Sequence, residues 1–127
     1  MSKQVFVSHV YEDRNWIEQL RDWARTGQLG HDVEISTELE DVRAQGDAEV
    51  DARLLPRVRG AAIVLVLVGE NTHDRRWITR EIEMANSLHK RIVVTQLPGT
   101  HGAPPPSASK YPLVSWNPPA LRLAFGA

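Results

Sequence analysis

An α/β protein built on an all-parallel sheet is the fold class this sequence predicts, and three observations predict it. The run AAIVLVLV, residues 61–68, is apolar throughout and rich in β-branched side chains, as a strand covered on both faces requires. Strand-like and helix-like stretches alternate along the chain, which implies parallel strands joined by right-handed crossovers. The length, 127 residues, suits one domain spanning 1–127. The expectation is a flavodoxin-like three-layer sandwich whose five-stranded parallel sheet has the order 2-1-3-4-5.

Each element follows from its local pattern. QVFVSH, residues 4–9, is β-branched and aromatic and reads as the first strand. In DRNWIEQLRDWARTG the residues Trp16, Ile17, Leu20, Trp23 and Ala24 fall on one helical face, with Asp13 as candidate N-cap and Gly27 just past the end. HDVEIS, residues 31–36, alternates like a half-buried or edge strand. A polar loop through Gly46 then precedes a short helix over about Asp47–Val58, which Pro56 should bend or end. After the central strand come the loop ENTHD, a third helix from Arg75 or Arg76, and the buried strand RIVVTQLPG. A loop rich in Pro, Ser, Ala and Gly leads to a short last strand in LVSW and a closing helix, PPALRLAF, begun by Pro.

Composition removes several function classes. The formal net charge is −1, so the basic excess of a nucleic-acid binder is missing. There is no cysteine, which excludes disulfides, thiolate nucleophiles and Cys-based zinc sites. The five histidines form no i, i+4 pair, so no metal site is expected. No apolar run is long enough to cross a bilayer, and the N-terminus has no long apolar segment of a secretory signal. A soluble, cytoplasmic domain is the expectation, without nucleic-acid or membrane partners. A receiver domain would need an acidic pair after the first strand and an Asp after the third, where this chain has Ser8-His9 and Val68-Gly69. A flavodoxin would need a phosphate loop, and SHVYEDRNW has no glycine to let the backbone wrap one. Neither dinucleotide nor P-loop glycine motifs occur. Ser8 and His9 are strand neighbours that point to opposite faces, so they form no dyad with each other.

One residue, Glu81, stands out from this pattern. In RRWITREIEMANSLHKR, at about 100° per residue, Trp77, Ile78, Ile82, Met84, Ala85 and Leu88 share a face, and Glu81 falls near its middle. Glu83 points the other way, toward solvent. An isolated buried carboxylate is costly, so Glu81 must be paired, protonated or set against a cleft. One reading makes it a structural ion pair with Arg14, Arg76 or another nearby cation. The other makes it a site carboxylate at the mouth of the sheet. Trp77, one turn earlier, is either a core residue or a wall beside that carboxylate.

With these residues in view, the chain resembles the TIR and TIR-like domain family. VFVSHVYEDRNWIEQL is similar to the family's first box, an apolar strand followed by Ser-His or Ser-Tyr and a polar loop. AQGDAEV resembles the Gly-Asp segment that opens the helix after the loop following the second strand. VLVLVGENTHDRRWITREIEMA resembles the strand, loop and W-x-x-x-E helix that carries a catalytic glutamate. The wording is most similar to the TIR-like subfamily of the Thoeris antiphage signalling protein, over roughly Lys3–Leu97.

The resemblance implies cleavage of the nicotinamide–ribose N-glycosidic bond of NAD⁺, by a NAD⁺ glycohydrolase or ADP-ribosyl cyclase. Residue by residue it implies Glu81 as the catalytic carboxylate, and Phe6, Ser8, His9 and Trp77 as substrate-binding matches, with Phe6 facing either site or core. NAD⁺ would be the substrate and no cofactor is implied. The product would be an ADP-ribose-derived signal, linear or cyclic, read by a separate effector in antiphage defence. Self-association through TIR surfaces, in particular about Thr37–Gly46, would complete the site. Two other functions stay open: a TIR-type interaction module that catalyses nothing, and a nucleoside deoxyribosyltransferase-like enzyme with a Glu nucleophile.

Overall fold

The strand β1 (Lys3–Ser8) lies inside the sheet, paired in parallel with β2 (Val33–Thr37) on one side and β3 (Ile63–Val68) on the other. In this computed structural model, residues 3–9, 13–37, 47–70, 72 and 76–126 are described; for 47–51, 53, 76 and 77 the description is of backbone alone. Pairing continues from β3 to β4 (Arg91–Gln96) and from β4 to the two-residue strand β5 (Leu113–Val114), again parallel. The strand order is β2-β1-β3-β4-β5, the order expected from the sequence. It turns around between β1 and β3, and parallel sheets bind ligands at the carboxyl ends flanking such a switch point.

Strand alternation divides the core into two layers. Phe6, Val64, Val66, Val68, Ile92 and Val94 face one way. They pack under α2 (Asp47–Gly60) and α3 (Arg76–Ser87), against Leu54, Val58, Ile78, Ile82 and Ala85. Val5, Val7, Ile63, Leu65, Leu67 and Val93 face the other way. They meet Ile17 and Leu20 of α1 (Trp16–Arg25), and Leu121 and Phe125 at α4 (Pro118–Ala124). All six residues of β3 are buried, since both faces of this strand are covered. Half-buried Trp16, Trp23 and Trp116 close the second layer at one end, with Trp116 5.5 Å from Trp16 and 5.2 Å from Trp23 between ring centroids.

One local expectation differs from what the chain does, and two are narrowed by it. Asp13 does not cap α1; Asn15 occupies the N-cap position and its side chain makes no capping bond. Pro56 does not end α2, which continues to Gly60. The prolyl ring breaks the bond to the carbonyl four residues earlier, but Ala52 and Pro56 both lie on the exposed side, where water can take that carbonyl. The last strand uses only Leu113 and Val114 of LVSW. The polar loop expected before Gly46 lies outside the described residues from 38 onward. Asn117 caps α4 by accepting from the Ala120 amide at 2.9 Å, with Pro118 at the first helical position. No helix among the described residues is long and apolar enough to cross a membrane.

Candidate functional site

At the carboxyl edge of the sheet, described residues of three connections meet at Gly69, the residue after β3. Its amide donates to the Thr72 hydroxyl at 2.8 Å, which folds the start of the β3–α3 loop back on itself. The Asp13 carboxylate, from the β1–α1 connection, lies where a Cβ on Gly69 would be. From the β4–β5 connection, Gly102 packs so closely on Gly69 and Glu70 that a Cβ there would overlap the Gly69 carbonyl oxygen. The same connection is tied down by the His101 amide, which donates to Glu70 Oε1 at 2.9 Å. Gln96 Nε2 adds bonds to the Thr100 hydroxyl at 2.7 Å and the Val68 carbonyl at 3.2 Å. Both Gly69 and Gly102 are therefore close-approach glycines, and the edge above β3 is tightly packed.

Glu81 sits on the sheet side of α3, as its helical phase requires. Its neighbours on that face, Ile78, Ile82 and Ala85, are fully buried, and Glu81 itself is 3 % exposed. Glu83 is exposed. Five residues after the helix start, Glu81 lies about 7.5 Å down the axis, in the upper part of the α2/α3 layer. It is not an isolated charge; it interacts with other groups of the fold. The sequence reading expected this carboxylate to line a cleft; residues 10–12, 71 and 73–75 of the adjoining connections lie outside the described residues. The described grooves lie elsewhere. One of about 490 Å³ runs past Arg25, Gly30, Asp32, Glu34 and Arg122 at the opposite edge, and one of about 320 Å³ lies beside Arg80 and Glu83 on the outer face of α3.

The first-box residues separate between the layers. Ser8 pairs with Val66 and so faces the α2/α3 layer, the side that holds Glu81. Its hydroxyl is fully buried and has no hydrogen-bond partner among the described residues. Phe6, two residues earlier, faces the same layer and is part of its core, packed with Val64, Val66, Ile78 and Ile82. His9 follows on the opposite side, beside Thr37. Burial lowers its pKa below the ordinary 6.5; the Val7 carbonyl raises it in part and the Arg14 cation lowers it again. Trp77 lies in the first turn of α3, and its side chain is outside the described set. Among the described residues no group of His, Asp or Glu could hold a metal ion.

Sequence reasoning missed Thr37 as a site neighbour. Its hydroxyl donates to the Val7 carbonyl at 2.8 Å and lies 3.1 Å from His9 Nδ1, and its carbonyl accepts from Arg57 Nη1 at 2.7 Å. The missing signal was the β1–β2 register, Val7 opposite Thr37, which no local pattern carries.

A fully buried hydroxyl and a nearly buried carboxylate thus face one apolar layer beside the switch point of a parallel sheet. Comparison with known proteins agrees with the fold. The TIR domain of the Toll-related receptor TRR-2 from Hydra magnipapillata has a TM-score of 0.60 at 14% identity, covering 96% of this chain and 90% of that one. A 2-desoxiribosyltransferase from Leishmania mexicana has a TM-score of 0.51 at 14% identity, over 74% of this chain and 64% of that one. The TIR domains of the activated Roq1 resistosome, which recognises the pathogen effector XopQ, have a TM-score of 0.51 at 17% identity, over 75% and 57%. At such identities the likeness is one of fold. No curated protein matches the chain. A family model described as the TIR-like domain of the Thoeris protein ThsB matches residues 6–101, a span that holds Phe6, Ser8, His9, Trp77 and Glu81. The chain belongs to the ThsB TIR-like domain family of Thoeris proteins.

Proposed function

We propose that this domain cleaves the nicotinamide–ribose bond of NAD⁺ and makes an ADP-ribose-derived signal, linear or cyclised, for a separate effector in antiphage defence. The observation that carries the reading is Glu81, a carboxylate 3 % exposed on the apolar face of α3, in the layer that receives the Ser8 side chain. In the reaction the bond from the ribose anomeric carbon to the pyridinium nitrogen breaks, and its electron pair leaves with neutral nicotinamide. No general acid is needed, unlike at sites with two carboxylates. The oxocarbenium-like ribose left behind is positive, and a fixed anion in a dry layer stabilises it. Water then adds to the anomeric carbon and loses a proton, or a ring nitrogen of the adenine adds and closes a cycle. Ser8 offers a hydroxyl to the sugar.

Assembly with a second copy through the segment after β2 is proposed to complete the site around Glu81. The test is incubation of concentrated protein with NAD⁺ and measurement of free nicotinamide, with a mass spectrum of the other product. Absence of nicotinamide from assembled protein returns the domain to the interaction-module reading. The fold likeness to the desoxiribosyltransferase favours one control. Release of base from a 2′-deoxynucleoside but not from NAD⁺ would assign the other chemistry.

A further inference from the structure

Thr37 joins the ends of two strands through one hydroxyl. That hydroxyl has a single hydrogen, and the Val7 carbonyl 2.8 Å away can only accept it. The contact of 3.1 Å to His9 Nδ1 must then be donated by the ring. His9 therefore carries its proton on Nδ1 and a bare lone pair on Nε2, which is buried and without a hydrogen-bond partner among the described residues. The Val7 carbonyl also acts directly on the ring in the sense that favours an N–H there. Behind this node, Arg57 of α2 holds the Thr37 carbonyl at 2.7 Å. His9 is bonded in sequence to Ser8, whose hydroxyl faces the Glu81 layer.

We propose that Thr37 is a positioning residue: its hydroxyl locks His9 as the Nδ1–H tautomer, clamps the end of β1 to the end of β2, and so holds Ser8 in register with the Glu81 layer. The effect on catalysis rests on the NAD⁺ reading above; the lock itself rests on geometry alone. Without the hydroxyl, the Val7 carbonyl and the His9 ring lose their shared partner. The ring is then free to turn or change tautomer, and the backbone at Ser8 loses its lateral anchor. A displacement of about 1 Å in a reacting group can cost on the order of 10²-fold in rate.

The experiment uses the full chain with ¹⁵N-labelled histidine, as wild type, Thr37→Val and Thr37→Ser, each checked for folding by circular dichroism. Ring-nitrogen NMR reads the tautomer, and nicotinamide release on the same samples reads kcat and KM. The wild type should show His9 protonated on Nδ1. Thr37→Val should lose that signature and lose up to about 10²-fold in kcat/KM, chiefly through kcat; Thr37→Ser should restore both. A wild-type ring protonated on Nε2, an unchanged ring in Thr37→Val, or wild-type kcat in that variant overturns the proposal. Should Thr37→Val not fold, the wild-type tautomer and the behaviour of Thr37→Ser decide it, with loss of the Nδ1–H form in the serine variant counting against it. If no sample releases nicotinamide while the tautomer shifts as expected, the NAD⁺ reading has failed and the lock stands.

Discussion

Replacing Glu81 with Gln separates the two roles a buried carboxylate can have. Gln keeps the side-chain volume and one carbonyl acceptor, so packing against Ile78, Ile82 and Ala85 is preserved. What goes is the charge, at a position only 3 % exposed. If that charge is mainly the partner of a buried cation, its loss strands the cation and costs about 3–5 kcal/mol. For a chain of 127 residues, an unfolding entropy of roughly 2.1 cal/mol/K per residue turns each kcal/mol into about 4 °C. The ion-pair role therefore implies a midpoint lower by about 11–19 °C. A carboxylate kept for chemistry is locally unfavourable in its apolar layer, and its neutralisation should leave the midpoint unchanged or raise it. Loss of the anion facing the oxocarbenium should slow nicotinamide release about 10²–10³-fold. Both quantities should be read from one preparation, by scanning calorimetry and by chromatography of nicotinamide. We expect an unchanged or higher midpoint with cleavage lost. A midpoint more than ~10 °C lower with cleavage retained would refute the catalytic assignment.

Three more outcomes are expected. His9 is held neutral by burial, with its folded pKa below 6.5; as pH falls through that value the unfolded chain takes a proton the folded chain refuses. Stability should then drop by up to about 1.4 kcal/mol per pH unit until the folded pKa is reached. A series of urea melts between pH 7.5 and 5 should show that slope, and His9→Asn should flatten it. Gly102→Ala should lower the midpoint by about 4–11 °C, since its methyl overlaps the Gly69 carbonyl and overpacking costs about 1–3 kcal/mol; an unchanged midpoint would mean that the β4–β5 connection yields freely. Specific activity should rise with protein concentration and vanish in dilute monomer, and light scattering alongside the assay checks the correspondence.

The parts of the fold that were legible are those whose signal is local. Ile63–Val68 is apolar because both faces are covered, and a run of β-branched residues says so without reference to any other segment. Glu81 was legible in the same way, since helical phase alone sets it among Ile78, Ile82 and Ala85. Asp13 misled because a good capping residue near a helix start also suits a close approach, and its carboxylate lies against Gly69 across the sheet edge. Thr37 was invisible for the opposite reason. It sits where local alternation runs out, and its role comes from pairing with Val7, thirty residues away. The separation of Ser8 from His9 was foreseen from strand alternation, but the identity of the groups each meets required the layers.

The tryptophans divide the molecule optically. Of the four, Trp16, Trp23 and Trp116 form one cluster on the α1/α4 side, close enough to exchange excitation energy. Trp77 belongs to α3, in the first turn before Glu81. Emission from the native chain is thus a sum of two reporters on opposite faces of the sheet. In Trp77→Phe the remaining signal follows the cluster and its unfolding. A quench by NAD⁺ that disappears in that variant belongs to the Glu81 side, so one substitution turns ordinary fluorescence into a two-channel readout of binding and folding.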